Sequence, residues 1–295
     1  MSPQGAGASP DGLPPLRDVI RSLELSAKKS LGQNFILDLN LTRRIARAAA
    51  PLEGATVVEV GAGPGGLTRA LLLEGAGRVM ALERDERCLP ALEMIAGRHP
   101  GRLSIHMEDA LDADWLKLVA DAGSDIVIVA NLPYNIATRL LIGWLETEPW
   151  PPWWSRMLLM FQKEVAQRIV AAPSTKAYGR LAVISQWRTL PRVVMTLGPE
   201  AFTPPPAVAS AVVEFIPRER PEPACSVITL GRVTGAAFGQ RRKMLRQSLK
   251  GLGVEPAELL GATGIDPEQR AEQLTVADFT RLAQVLDSRA VADRR

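Results

Sequence analysis

The sequence predicts an α/β protein: an open, mostly parallel sheet with helices on its faces, followed by a smaller helical domain. Three observations predict it. Short, largely apolar runs at residues 56–60, 78–82, 103–107 and 126–130, the first and last rich in β-branched residues, alternate with stretches of helical periodicity, as in buried parallel strands joined by crossover helices. Each run gives way within two residues to a group with chemistry to offer: Gly61, Glu83, Asp109 and Asn131 in turn. That gathers them at the carboxyl edge of the sheet, where open α/β folds bind ligands. After a Pro- and charge-rich stretch at 217–223, the apolar spacing turns helical from Ser226 to about Leu286.

A chain of 295 residues has room for a full core and a second, smaller domain. Cys88 and Cys225 stand far apart and offer neither metal spacing nor a disulfide framework, which fits a reducing cytosol. His99 and His106 are too few for a histidine-based metal site, so no metal is expected, and His106 belongs on a strand face. No apolar stretch reaches membrane-spanning length and the start lacks a basic-then-apolar secretion signal, so a soluble cytoplasmic protein is expected. The net charge of +3 leans towards an anionic partner. Its distribution says more: Lys28-Lys29, Arg43-Arg44 with Arg47, and Arg241-Arg242-Lys243 with Arg246 and Lys250 are basic clusters with hardly an acid among them.

Taken in order, residues 1–25 are rich in Gly, Ala, Ser and Pro and read as a disordered lead-in, with domains at 26–217 and 218–295 to follow. Gln33 to Ile36 form an irregular segment before Asp38, the N-cap of a helix reaching about Ala50. The strand 56–60 runs into Gly61-Ala62-Gly63-Pro64-Gly65-Gly66 and then a helix at 67–73, the arrangement in which bare backbone lets a nucleotide cofactor approach. Glu83, about twenty residues past the loop, can grip ribose hydroxyls; the same spacing matches the dinucleotide fingerprint, so two cofactor classes stay open at this point. Asp109 can accept from an adenine amino group.

The run ending at Asn131-Leu132-Pro133-Tyr134 suits a substrate amino group on a base. The lone pair of such a nitrogen is delocalised into the ring, and acceptors that hold its two hydrogens make it a better nucleophile; the Asn131 side-chain oxygen and a backbone carbonyl near Leu132 can supply them. Pro133 fixes the turn and removes a competing donor, and Tyr134 offers a flat face for an extruded base. Beyond it, a helix is expected at 136–145, a strand at 157–161 and an amphipathic helix at 162–171. The tryptophans of the connector 149–154 are expected to pack back on the domain rather than stack on RNA. Residues 173–178 read as a mobile loop beside the substrate cleft, 181–188 and 207–216 as the last two strands, and Phe202-Thr203 with three prolines as a stiff entry to the final one. Residues 240–250 read as a helix with one packed and one positive face.

The glycine loop, Glu83, Asp109 and Asn131-Leu132-Pro133-Tyr134 together resemble a class I S-adenosylmethionine-dependent methyltransferase, a Rossmann-like fold with a mostly parallel seven-stranded sheet. Gly32-Gln33-Asn34-Phe35 and Phe202-Thr203-Pro204-Pro205-Pro206 resemble the ribosomal RNA adenine N6,N6-dimethyltransferase family; the segments 161–168, 178–181 and 241–246 resemble its small-subunit branch. The resemblance covers roughly residues 28–285. It implies an enzyme that uses S-adenosylmethionine to place two methyl groups on each of two adjacent adenosines in the loop of the 3′-terminal helix of 16S rRNA, late in small-subunit assembly, acting on the subunit or its precursor. By the same resemblance Gln33, Asn34 and Ile36 border the cofactor, Gly61 and Gly63 pass under its methionine part, Glu83 binds ribose, Asp109 with Ala110 meets the adenine, and Asn131 lies between cofactor and target. Tyr134 and Phe202 would sandwich the flipped base, and Lys28, Lys29, Arg241, Arg242, Lys243 and Arg246 would hold RNA. Departures are Ile36, where Leu is common, Ala137, where Ser is common, and the extra glycines at 65 and 66. The alternatives are dimethylation of a single 23S rRNA adenosine, a non-catalytic RNA-binding assembly factor of the same fold, and a nicotinamide oxidoreductase, which would leave Asn131 to Tyr134 unused. Nothing resembles a dimer seam, so a monomer is expected.

Overall fold

The structure, a computed structural model, describes residues 9–28 and 31–292; Lys29 of the expected basic pair lies outside them. The first element is a short helix, α1 (Leu16–Ser22). This overturns the expectation of disorder for the stretch from residue 9 to 25. The reason is a face of Leu13, Leu16 and Val19, three residues apart, all buried, with a buried ion pair from Asp11 to Arg69 holding the segment down. Composition hid it, because three apolar residues among Gly and Pro barely raise the average.

Helix α2 (Leu39–Ala48) begins at Asp38, whose side chain accepts the Asn40 N–H at 2.8 Å, the expected cap. Alternation then follows: β1 (Thr56–Val60), α3 (Gly66–Leu73), β2 (Arg78–Glu83), α4 (Leu89–Arg98), β3 (Leu103–Met107), α5 (Trp115–Leu118), β4 (Ile126–Ala130), α6 (Tyr134–Leu145), β5 (Arg156–Gln162), α7 (Lys163–Ile169), α8 (Arg180–Arg188), β6 (Thr189–Leu197) and β7 (Ser210–Pro217). The seven strands lie in the order β3-β2-β1-β4-β5-β7-β6. Pairing is parallel from β3 to β5, and β7 runs antiparallel to β5. All five residues of β1 and of β4 are buried, which is why these strands read as unbroken apolar runs: helices cover both faces. The chain leaves β1 for β2 on one side and returns to β4 on the other, so the crevice for a ligand opens at the carboxyl ends of β1 and β4.

Residues 181–188, expected as a strand, form helix α8, and the edge strand β6 begins only at Thr189. The run Leu-Ala-Val-Ile-Ser-Gln-Trp is short and apolar, a pattern periodicity cannot assign. Its buried residues Ala182, Val183 and Trp187 follow helical spacing and join a core of helices.

The protein divides into two compact units. One comprises the chain up to Gly143 with Trp153–Lys163 and Val193–Phe215; the other comprises Trp144–Pro152, Glu164–Arg192 and the chain from Ile216 on. The second unit therefore takes more than the expected segment after 217. Its helices α9 (Val227–Gly239), α10 (Leu245–Ser248), α11 (Pro256–Thr263) and α12 (Val276–Ala292) enclose Leu230, Val233, Leu259, Phe279 and Leu282. Ser226 caps α9 by accepting from the Thr229 N–H. The helix expected over 240–250 is reduced to α10: Arg241, Arg242 and Lys243 lie in the turn before it, where Met244 bridges Arg270. The loop 173–178, expected to be mobile, is bound within this unit. Ser174 N–H donates to the Glu272 carbonyl at 2.7 Å and Tyr178 is fully buried.

The connector tryptophans pack as expected: Trp154 is buried, Trp153 stacks on Trp115 with centroids 5.8 Å apart, and the guanidinium carbon of Arg188 lies 4.4 Å from the ring centroids of both Trp150 and Trp187. Among the described residues no helix is long and apolar enough to cross a membrane.

Candidate active site

The β1–α3 turn is tied to the neighbouring strand by backbone. Gly61 N–H donates to the Leu82 carbonyl at 2.9 Å, and Gly63 N–H donates to Glu83 Oε2 at 2.7 Å. Gly63 has φ of +54°, a conformation that strains any other residue, and a Cβ there would sit a tight 3.3 Å from the Phe35 ring. Glu83 Oε1 accepts from the N–H groups of Arg84 and Asp85 at 2.9 and 2.8 Å. Burial outweighs these donors and raises its pKa.

A second acid enters from β1. Glu59 is fully buried, lines the same cavity and accepts from the Thr68 hydroxyl at 2.6 Å. Burial, with the nearby charge of Glu83, pushes its pKa up to about 8 against the Thr68 bond. Sequence reasoning missed Glu59, although a carboxylate inside an otherwise apolar strand was a visible signal: an acid is buried only where something repays it.

Asn131 follows the last residue of β4. Its side-chain Nδ2 donates to the Asn34 carbonyl at 3.2 Å, which fixes the amide and leaves Oδ1 as the acceptor. Pro133 lies against the glycine loop and the preceding motif: a Cβ on Gly61 would be 3.6 Å from its Cδ, and one on Gly32 would be 3.3 Å from its Cβ. The Tyr134 hydroxyl is hydrogen-bonded to that of Ser210, fully buried at the start of β7, at 2.6 Å, which sets the ring. Desolvation raises the Tyr134 pKa, so it stays a neutral phenol.

One cavity brings together Gln33, Asn34, Ile36, Gly61, Gly63, Glu83, Ala110, Asn131, Leu132, Pro133 and Tyr134. Gln33 stands in it with both ends of its amide engaged: Oε1 accepts the Lys28 N–H and Nε2 donates to Asp85 Oδ2, each at 2.9 Å. Asp85, missed in the sequence, is held below the usual carboxylate range by the Arg87 guanidinium, with Gln33 adding to it. Two expected residues are not brought in. Asp109 is not among the lining residues and its carboxylate is engaged: Arg84, one residue beyond β2, takes its Oδ2 at 2.7 Å, and its Oδ1 accepts the Leu111 N–H. Phe202 is 3% exposed, packs in the same apolar cluster as Leu197 and is not among the residues lining the cavity, so it does not stand there opposite Tyr134. Its neighbour Thr203 instead pairs with Phe35 through reciprocal backbone bonds of 2.9 and 2.8 Å.

Of the basic residues expected to hold RNA, Lys28, Arg242, Lys243 and Arg246 are exposed. Arg246 lies 3.6 Å from Glu268, and Arg241 is committed within its own unit, to Glu272 at 2.9 Å and the Thr175 carbonyl at 3.2 Å. Arg241 is thus a fastening for the loop 173–178.

The cavity suits S-adenosylmethionine by its donor set. Glu59 and Glu83 are acids whose burial is relieved by a cationic ligand, the glycine loop admits close approach, and the Asn131 acceptor stands at the same strand edge. Residues 24–288 match the family described as ribosomal RNA adenine dimethylase. The chain is 64% identical to a ribosomal RNA small subunit methyltransferase A from Xanthobacter autotrophicus, over 92% of this chain and 94% of the relative. It is 62% identical to one from Rhodopseudomonas palustris, over 94% and 96%. Among solved structures, a dimethyladenosine transferase from Plasmodium falciparum superposes with a TM-score of 0.72 at 23% identity, covering 84% of this chain and 96% of that one. The 23S rRNA methyltransferase ErmE superposes at 0.63 and 24% identity, covering 86% and 100%. At those identities the structures establish the fold, a Rossmann-like class I methyltransferase.

Proposed function

The chain belongs to the ribosomal RNA adenine dimethylase family, and from that membership we propose that it dimethylates N6 of two adjacent adenosines near the 3′ end of 16S rRNA, late in small-subunit assembly and in the cytoplasm. The relatives at 62–64% identity carry the small subunit in their name, which favours this reading over the large-subunit one. One observation carries the chemistry: Asn131, with its nitrogen bound to Asn34, presents an oxygen acceptor at the edge of a cavity floored by the glycine loop, Glu59 and Glu83.

Bound S-adenosylmethionine supplies a methyl group already activated on a sulfonium. The protein therefore contributes position and hydrogen-bond acceptors rather than a strong base. Asn131 Oδ1, with a backbone carbonyl near Leu132, takes the N6 hydrogens and holds the amine's lone pair out of the ring; the surplus proton leaves after the positive charge has formed. Tyr134, braced by Ser210, gives the extruded base a face to stack on. Glu83 holds ribose hydroxyls, and Glu59 and Glu83 answer the cofactor's positive charge. Unpairing costs a few kcal/mol, least where the base is already unpaired, which favours a loop as the target.

The test is transfer of labelled methyl from S-adenosylmethionine to unmethylated small subunits, with large-subunit RNA in parallel and nucleoside analysis of both. Dimethyladenosine in the small subunit alone is expected. Label confined to large-subunit RNA would overturn the assignment of substrate, and cofactor binding without transfer to either would overturn the catalytic reading.

A further inference from the structure

The N-terminal segment forms part of the wall of the cavity. We propose that Leu16, carried on a strap of residues 11–25 that the Asp11–Arg69 pair anchors, is a cofactor-contact residue that sets affinity for S-adenosylmethionine; the inference rests on reading the cavity as the cofactor site.

The anchor is built with unusual completeness. The side chains of Asp11 and Arg69 are 0% and 3% exposed, and the pair is bidentate: Nε to Oδ2 at 2.5 Å and Nη2 to Oδ1 at 2.7 Å. The third arm, Nη1, donates to the Pro14 carbonyl at 2.8 Å, Leu13 N–H donates to Asp11 Oδ1, and Arg98 Nε donates to the Asp11 carbonyl at 2.9 Å. A buried pair of this kind gains little stability over an apolar one, because desolvation offsets the attraction, but it admits one geometry. It therefore fixes where the strap lies. Arg69 sits on α3, the helix that starts from the glycine loop, so the strap is registered against the element that borders the ligand.

Leu16 follows from that register. A Cβ on Gly66, the first residue of α3, would lie 2.9 Å from Leu16 Cδ2 and 2.9 Å from the Ile36 carbonyl. No side chain fits there, and the close approach of backbone to Leu16 is what the second glycine of Gly65-Gly66 permits. Leu16, Ile36, Thr42 and Gly66 line the cofactor cavity on one side and, on the other, a second hollow bordered by Arg17, Asp18 and Asp38. Leu16 is thus part of the partition between a hollow bordered by charged side chains and the cofactor cavity.

The test compares Leu16→Ala and Leu16→Met with the full-length wild type, reading S-adenosylhomocysteine affinity by calorimetry and, with saturating small subunits, the KM for S-adenosylmethionine and kcat. Losing an apolar contact in such a pocket is expected to weaken cofactor affinity about tenfold, with kcat and the KM for the ribosomal substrate near wild type and Leu16→Met restoring most of the loss. A strap with only a structural role would lower the active fraction and leave KM unchanged, so cofactor KM and Kd within twofold of wild type in Leu16→Ala overturns the proposal. A second reading needs no variant: S-adenosylhomocysteine should slow amide exchange in residues 13–25 of the wild type several-fold, and exchange indifferent to the ligand overturns it too. Wild type that fails to bind S-adenosylhomocysteine at all would instead sink the reading of the cavity, and the strap with it.

Discussion

Replacing Asn131 by alanine removes the acceptor without shortening β4, whose last residue is Ala130, so chemistry and folding separate at this position. Transfer is expected to fall about a hundredfold or more, the usual cost of losing one group that stabilises developing charge, while cofactor affinity stays within several-fold by calorimetry. Parallel loss of both would make Asn131 structural. Phe202→Ala should do the reverse. A core phenylalanine truncated to alanine costs about 3–5 kcal/mol, and denaturant unfolding should show it, with cofactor and RNA affinities of the remaining folded protein near wild type. The contrast shows what sequence conveys about single residues. The places of Asn131 and Glu83 on the cavity were legible because a strand end fixes where a side chain stands. The burial of Phe202 and the pairing of Asp109 were not, because the apolar cluster around Phe202 and the reach of Arg84 are set by tertiary neighbours.

Among the elements, the basic turn before α10 divides into residues that fasten and residues that face solvent. Arg241→Ala should loosen the loop 173–178, lowering the stability of the second unit by about 1 kcal/mol, since one half-exposed ion pair and one bond to a carbonyl are lost. Arg242→Ala with Lys243→Ala should leave the melting temperature unchanged and weaken RNA binding, with a shallower dependence of log affinity on log salt by roughly one for each phosphate contact removed. An unchanged salt slope in the double variant would remove these two residues from the RNA surface. Sequence grouped all three cations because it read a continuous helix over 240–250. The turn that separates their roles depends on the bridge from Met244 to Arg270, which no local pattern announces. Strands β1 and β4 were legible for the opposite reason: burial on both faces writes itself into the residues.

For the whole molecule, the acids that equip the cavity also make folding depend on pH, and the sign follows from Glu59. Burial pushes its carboxyl up to about 8 in the folded protein, from an ordinary value of 4.5 in the unfolded chain. Below 4.5 both states hold the proton and its contribution is complete. Between 4.5 and 8 the unfolded chain has released the proton that the folded one retains, so stability falls as pH rises, and the contribution is lost once pH passes the folded value. Glu83, raised by burial as well, pushes in the same direction, so the slope belongs to both acids. Glu59→Gln keeps a neutral group of the same shape at every pH. Scanning calorimetry from about pH 5 to about pH 8.5 should therefore find the variant's transition for the sheet-bearing unit less sensitive to pH than wild type, and more stable than wild type at the alkaline end. Saturating S-adenosylmethionine should narrow that difference, because a bound cation favours the ionised carboxylate and offsets its burial. Parallel slopes for variant and wild type would show that Glu59 titrates normally in the folded protein, and that its place beside the glycine loop is not the source of the pH dependence.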